Sequence, residues 1–173
     1  ACSAQWVPIR PKTDAAFLFS MVHVLLHEMP RESLDISFLK HHTGSPYLIG
    51  PNGFYLRDPA TKKPLLWDLK RNAAVSFDTP DTDPALDGSF TLDAIEVGAD
   101  EQTWTHNGFT AETAFGKLIA RVQPYTPESA EKTCDIREGT VRRIAAEYVE
   151  FAQVGATMEV DGETLPFRPV SIQ

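Results

Sequence analysis

Cysteine is scarce in this chain: Cys2 and Cys134 are the only two among 173 residues, and they stand far apart. No Cys-x-x-Cys is formed, so the chain carries no iron–sulfur ligand set of its own, and two thiols do not make a disulfide framework. Positive charge is also in short supply. Sixteen Lys and Arg against 24 Asp and Glu leave a formal net charge of −8, and the basic residues are scattered, which excludes the concentrated cationic face of a nucleic-acid binder. The main apolar run, Phe17 to Leu26, is interrupted by Ser20 and His23 and falls short of the roughly 20 residues that cross a bilayer. It reads as a buried helix. No signal peptide precedes Ala1, and the compartment stays open between cytoplasm and periplasm.

The common catalytic signatures are missing as well. There is no Gly-x-Ser-x-Gly, no Gly-x-Gly-x-x-Gly, no phosphate-loop lysine and no His-Glu-x-x-His. His23 and His27 have helical spacing but no glutamate follows His23, and His41 and His42 are adjacent and diverge on a helix. In an apolar helix His23 reads as a satisfied core histidine. Residues 78–89 are the most loop-like stretch, with Asp78, Asp81 and Asp83 close together. They lack the alternating oxygens, glycine turn and terminal glutamate of a calcium loop, and read as a mobile acidic surface loop or an insertion facing a partner. No catalytic or metal-binding residue is assigned.

What the chain does have is a rigid opening, Trp6-Val-Pro-Ile-Arg-Pro-Lys-Thr-Asp14, that runs into an apolar helix spanning 14–29 and stopping before Pro30. Ser33 can cap a short helix to about Lys40. Short extended pieces follow at 47–49, 54–56, 65–67 and 74–77, with a hairpin around 54–67. A strand over 90–97, an Asn107-Gly108 turn, a helix over 111–123, a helix over 137–151 and a hairpin turned by Asp161-Gly162 complete the reading. The fold class is α/β.

The opening segment resembles the second dinucleotide-binding region of the dimethylsulfoxide reductase family of molybdopterin oxidoreductases, in which Trp-x-Pro-Ile-Arg-Pro-Gly-Thr-Asp-Ala-Ala precedes a long buried helix. Trp6, Pro8, Ile9, Arg10, Pro11, Thr13, Asp14, Ala15 and Ala16 match. Lys12 stands where the family has glycine, so either it strains the loop or the loop has lost a tight contact. A second matching block is Tyr125 to Ala146, where Thr-Cys-Asp-Ile136 resembles the family's Thr-Cys-Gly-Ile. A third, weaker one is Asp35 to Thr43.

The resemblance implies a three-layer α/β fragment of a longer oxidoreductase, with a peripheral antiparallel hairpin and its remaining sheet supplied by sequence upstream. It implies a molybdopterin guanine dinucleotide carrying molybdenum or tungsten in the parent enzyme, with Asp14 pairing the guanine, Thr13 and Arg10 near phosphate or ribose, and Trp6 beside them. The partner is then the remainder of that enzyme, and the apolar helix 17–26 offers a route to a homo-oligomer. Two alternatives stay open. Thr13 or Asp14 can simply cap the helix, and the chain can be a non-catalytic binding or structural module with loop 78–89 as its partner surface.

Overall fold

The computed structural model of the chain describes residues 5–92, 108–167 and 169–170. The mixed α/β class is borne out: among the described residues, helices accompany small antiparallel sheets of three, two and two strands. The chain divides into two compact units, Ala1–Asp35 with Arg121–Gln173, and Ile36–Ala120, each with its own apolar cluster.

In the first unit, α1 (Asp14–His23) continues into a π turn over Val24–Glu28, closed by the Met29 amide donating to the Val24 carbonyl five residues back at 3.0 Å. Pro30, lacking an N–H, ends it where the sequence placed the end. Ser33 does not cap the following helix. Its hydroxyl donates to the Pro30 carbonyl and closes a 3-10 turn over Arg31–Ser33. Helix α4 (Pro127–Cys134) begins on Thr126, whose Oγ1 accepts from the Ser129 amide, with Pro127 and Glu128 in its first turn. After a bend at Gly139, with φ of 83°, α5 (Thr140–Ala152) follows. Met21 and Val24 pack with Ala130, Val141 and Ala145 to make the core of this unit. The tail forms the expected hairpin, β6 (Thr157–Val160) with β7 (Glu163–Pro166). Positive φ at both Asp161 and Gly162 allows the tight turn that matches strand twist.

One ion network spans this unit. The Arg142 guanidinium grips Glu28 through Nε at 2.6 Å and Nη2 at 2.8 Å, and reaches Glu128 through Nη1 at 2.7 Å. The hydrogen bond from Arg142 holds the Glu28 carboxyl below its usual 4.5 against a smaller opposing push from burial. A depressed folded value means that this stabilisation is present above pH 4.5 and fades as the pH falls through the depressed value. Urea midpoints measured down this acid range should therefore fall more steeply for the parent chain than for Arg142→Gln. Parallel curves would show that the network contributes nothing to acid stability.

In the second unit, α2 (Ile36–His42) leads to β1 (Leu48–Ile49), which pairs with β5 (Phe109–Thr113), itself paired with β4 (Ser89–Leu92). Phe109, Ala111 and Thr113 alternate inward, so the helix expected over 111–123 starts later, as α3 (Ala114–Val122). The expected pairing within 54–67 is present as a bridge between Arg57 and Pro64, with the Leu65 amide donating to Leu56 at 2.9 Å. The regular ladder is the next hairpin, β2 (Leu65–Asp68) with β3 (Ala73–Ser76). Leu48, Leu56, Leu65, Leu92 and Phe109 form the core, with Trp67 stacked on Phe90 at 4.6 Å. The strand expected over 90–97 is seen as far as Leu92; Cys2, the rest of that strand and the turn segment from Thr103, with His106, lie outside the described residues.

The acidic stretch 78–89 is tied down residue by residue. Lys63 pairs with Asp78, Lys70 with Asp81, and Lys40 with Asp83 at 2.7 Å, while Arg71 donates to the carbonyls of Pro80 and Asp81. Its anchor is Asp68, a wholly buried carboxylate that accepts from the Asp83 amide at 2.9 Å, the Lys70 amide at 3.1 Å and the Arg71 guanidinium. Burial pushes the Asp68 carboxyl up, but those three donors outweigh it and leave it below the ordinary value. In the stretch expected as a mobile acidic surface loop, Asp78, Asp81 and Asp83 are thus each matched by a lysine of the same chain.

Candidate functional site

The opening loop owes its shape to one turn. The Thr13 amide donates to the Arg10 carbonyl at 3.3 Å, and the Thr13 hydroxyl donates to the same oxygen at 2.6 Å. Pro11 takes the second position and Lys12 the third, with φ of 69°. Proline followed by a positive φ is the pattern of a type II turn, whose third residue favours glycine. The loop has kept its bend, and Lys12 carries the strain. Lys12→Gly should therefore stabilise the chain by about 0.5–1 kcal/mol, the relief of a left-handed side chain less the added freedom of glycine when unfolded. A thermal melt of the variant checks this; a lower midpoint would mean that the lysine side chain contributes something to the fold.

Two stretches distant in sequence meet at this loop. The Arg10 amide donates to the Cys134 carbonyl at 2.8 Å, and the buried Cys134 thiol lies 3.6 Å from the Thr13 carbonyl. The Arg10 guanidinium stands 3.7 Å from Asp135, which ends α4 in a left-handed conformation with φ of 58°. Of the four residues singled out from the sequence, Arg10 and Thr13 are directly bonded. Asp14 opens α1, and its exposed carboxylate makes no hydrogen bond or ion pair with any described residue. The capping alternative fares poorly, because the Thr13 side chain makes no cap bond and is spent on Arg10.

Trp6 is 81% exposed and borders an open cleft of about 360 Å³, shared with Pro8, Ile136, Arg137, Thr140 and Arg143. Sequence reasoning did not single out Arg137 or Asp135; both lie within the second matching block, which was the available signal. Arg143 is matched with Glu147 at 2.8 Å and Gln5 at 2.9 Å. The cleft abuts the start of α5, where Glu131, only 3% exposed, accepts from the Gly139 amide at 3.0 Å and the Val141 amide at 2.9 Å.

The histidines add nothing to the site. His23 is buried, with Nδ1 3.0 Å from the Val122 carbonyl, and its ring stacks on His27 at 4.7 Å. Among the described residues no group of three or more His, Cys, Asp or Glu is placed to hold a metal, and no helix is long and apolar enough to cross a membrane.

Comparison with known proteins gives a consistent picture. The chain is 29% identical over 163 residues to a sulfite dehydrogenase polypeptide of Allochromatium vinosum, covering 85% of this chain and 15% of that protein. It is 29% identical over 147 residues to the alpha subunit of the chlorate reductase of Ideonella dechloratans, covering 81% and 15%. The chain is homologous, at the family level, to molybdopterin oxidoreductases of the dimethylsulfoxide reductase family. A further relative, the alpha subunit of the dimethylsulfide dehydrogenase of Rhodovulum sulfidophilum, is 29% identical over 175 residues, covering 91% of this chain and 17% of its own length. No protein-family model matches the chain. The chain thus spans between 15% and 17% of the length of these three oxidoreductase polypeptides.

Proposed function

We propose that the loop from Trp6 to Asp14, with the junction between α4 and α5, holds the nucleotide end of a pterin guanine dinucleotide in a molybdenum- or tungsten-dependent oxidoreductase of which this chain is one part. The observation that carries the reading is Asp14: an exposed carboxylate, unpartnered among the described residues, in the first turn of α1 beside a rigid turn. Its two coplanar oxygens suit the adjacent N1–H and N2–H donors of guanine, an edge that adenine lacks. Trp6 offers a face for a ring, and the exposed Arg10 guanidinium lies close enough to the turn to meet a phosphate oxygen once released from Asp135. The donor set therefore fits a guanine nucleotide.

When bound, the metal and pterin supply two-electron oxygen-atom or hydride chemistry. This chain's residues bind and orient the far end of the group and take no part in bond making. The curated relatives are named for sulfite, chlorate and dimethylsulfide, substrates of different kinds, so the substrate of the larger enzyme is set outside these residues. The partner in this reading is the rest of that enzyme. Self-association through 17–26 has less to draw on, since within that run Leu18 and Phe19 are exposed at 39% and 43% while the rest is buried or half-buried.

The test is a titration of the 173-residue chain with GDP and, separately, ADP, followed by amide resonances. GDP should shift residues 10–16 and ADP should leave them in place. Equal responses, or none in a folded sample, would remove guanine recognition from this loop.

A further inference from the structure

We propose that the apolar side of the hairpin β6–β7 is a docking surface for another polypeptide, one whose own apolar patch is edged by lysine and arginine. The proposal stands on the hairpin alone and is independent of the nucleotide reading.

Strand pleat sorts the side chains of this hairpin. The register sets Met158 against Leu165 and Val160 against Glu163, and the Phe167 amide donates to the Ala156 carbonyl at 2.8 Å, so Ala156, Met158, Val160, Leu165 and Phe167 share one side of the ribbon. Thr157, Glu159, Thr164 and Pro166 take the other, where the Thr164 hydroxyl donates to Glu159 at 2.5 Å. The apolar side stays open among the described residues: Met158, Val160 and Leu165 are 38–43% exposed. Phe151 and Val154, just upstream at the end of α5, are exposed as well. Single exposed apolar residues are ordinary, but a two-stranded ribbon is marginal in water by itself, and three large side chains gathered on one of its sides gain from cover.

Charge selects the cover. Between Arg143 and Arg168 the chain carries Glu147, Glu150, Glu159, Asp161 and Glu163 and no lysine, arginine or histidine. Arg143 answers Glu147. The carboxylates of Glu150, Asp161 and Glu163 meet no cation among the described residues. Glu163 sits on the apolar side itself, across from Val160, and Asp161 stands in the turn beyond it, so the tip of that side is edged by negative charge. An apolar centre with a polar rim is the anatomy of a protein interface, and here the rim has one sign. A second copy of the hairpin would bring carboxylate against carboxylate, and an anionic bilayer would repel it for the same reason. A polypeptide presenting apolar side chains flanked by lysine and arginine satisfies both parts, the centre by burial and the rim by complementary charge.

Short amphipathic helical peptides are the probes, added to the 15N-labelled chain: one of leucine and lysine, one of serine and lysine with the same charge, and one of leucine and glutamate. The leucine–lysine peptide should shift the amides of 151–167, and the other two should leave them in place. Leu165→Thr, which keeps a strand-forming residue, should weaken that binding by about tenfold or more, whereas Glu159→Gln on the reverse side should change it little. Glu150→Lys with Glu163→Lys should hand the preference to the leucine–glutamate peptide. That charge swap leaves the apolar side intact, so it decides even where Leu165→Thr loosens the hairpin. No shift with the leucine–lysine peptide, equal shifts with the serine–lysine peptide, or a preference that the charge swap does not move overturns the docking surface. Sedimentation of the parent chain as a dimer that Leu165→Thr dissolves, or together with phosphatidylglycerol vesicles, puts a second copy or a bilayer on the hairpin and overturns the choice of partner.

Discussion

Replacing Glu131 with alanine should lower the stability of the chain by about 2–4 kcal/mol, because the buried Val141 amide and the Gly139 amide would lose a charged acceptor at once. On its own helix Glu131 reads as one more surface acid between Ala130 and Lys132. In the fold it turns inward, only 3% exposed, and closes the first turn of α5 across the bend at Gly139. No residue at the start of α5 caps that helix with its own side chain. The carboxylate also sits where the helix end is electropositive, which adds to what is lost. Glu131→Gln keeps one acceptor and should lie between alanine and the parent. Urea unfolding of the three chains decides it: an alanine variant within about 0.5 kcal/mol of the parent, the range of an ordinary surface change, would mean that water replaces the carboxylate without cost.

The second large effect is on binding. Asp14→Asn should weaken guanine nucleotide retention by about 1–3 kcal/mol, roughly five- to 150-fold, since the amide sets a donor against a guanine donor and leaves it unpaired. Folding should not change. The carboxylate touches no described residue, and asparagine suits a helix start about as well as aspartate. That separation makes the variant informative, as a loss of GDP response at an unchanged melting point can come only from the ligand side. In a full-length enzyme the corresponding measurement is bound dinucleotide per protein. Occupancy equal to the parent's, in a folded variant, would leave Asp14 without a role in recognition. Lys12→Gly, which relaxes the neighbouring turn, should leave retention the same or improve it.

How much of this was legible in the sequence depended on the range of the interactions involved. Helix α1, helix α5 and the hairpin at Asp161-Gly162 rest on local signals, a periodic apolar face or a turn that only certain residues allow, and these could be read off. Helix α4 was equally local: Thr126-Pro127-Glu128 is a start signal that went unused beside the resemblance of the same block. The π turn at Val24–Glu28 was not legible, because an apolar run looks the same whether its last turn closes on the fourth or the fifth residue. Strand β5 was hidden by the helix that follows it without a loop. The ion pairs of the acidic stretch were not legible for a different reason. Lys40 and Lys63 find Asp83 and Asp78 at separations of 43 and 15 residues, which a short window of sequence does not connect.

The site divides the same way. Trp6, Arg10, Thr13 and Asp14 are neighbours in sequence and were named together; the arrival of Asp135 and Arg137 beside them is a tertiary event. Lys12 and Asp135 stand where the resemblance has glycine, and both adopt the positive φ that glycine would take, 69° and 58°.

The thiol of Cys134 gives the loop a clock. It is wholly buried under the loop, beside the Thr13 carbonyl, and its own carbonyl receives the Arg10 amide. A thiol reagent cannot reach that sulfur while the loop is seated, so in a Cys2→Ser background the rate of alkylation counts excursions of the loop away from α4. A ligand bridging Asp14 or Trp6 to the start of α5 would hold both sides of that seam and slow the reaction. The buried sulfur then reports occupancy through kinetics alone, with no spectroscopic signal required from the ligand.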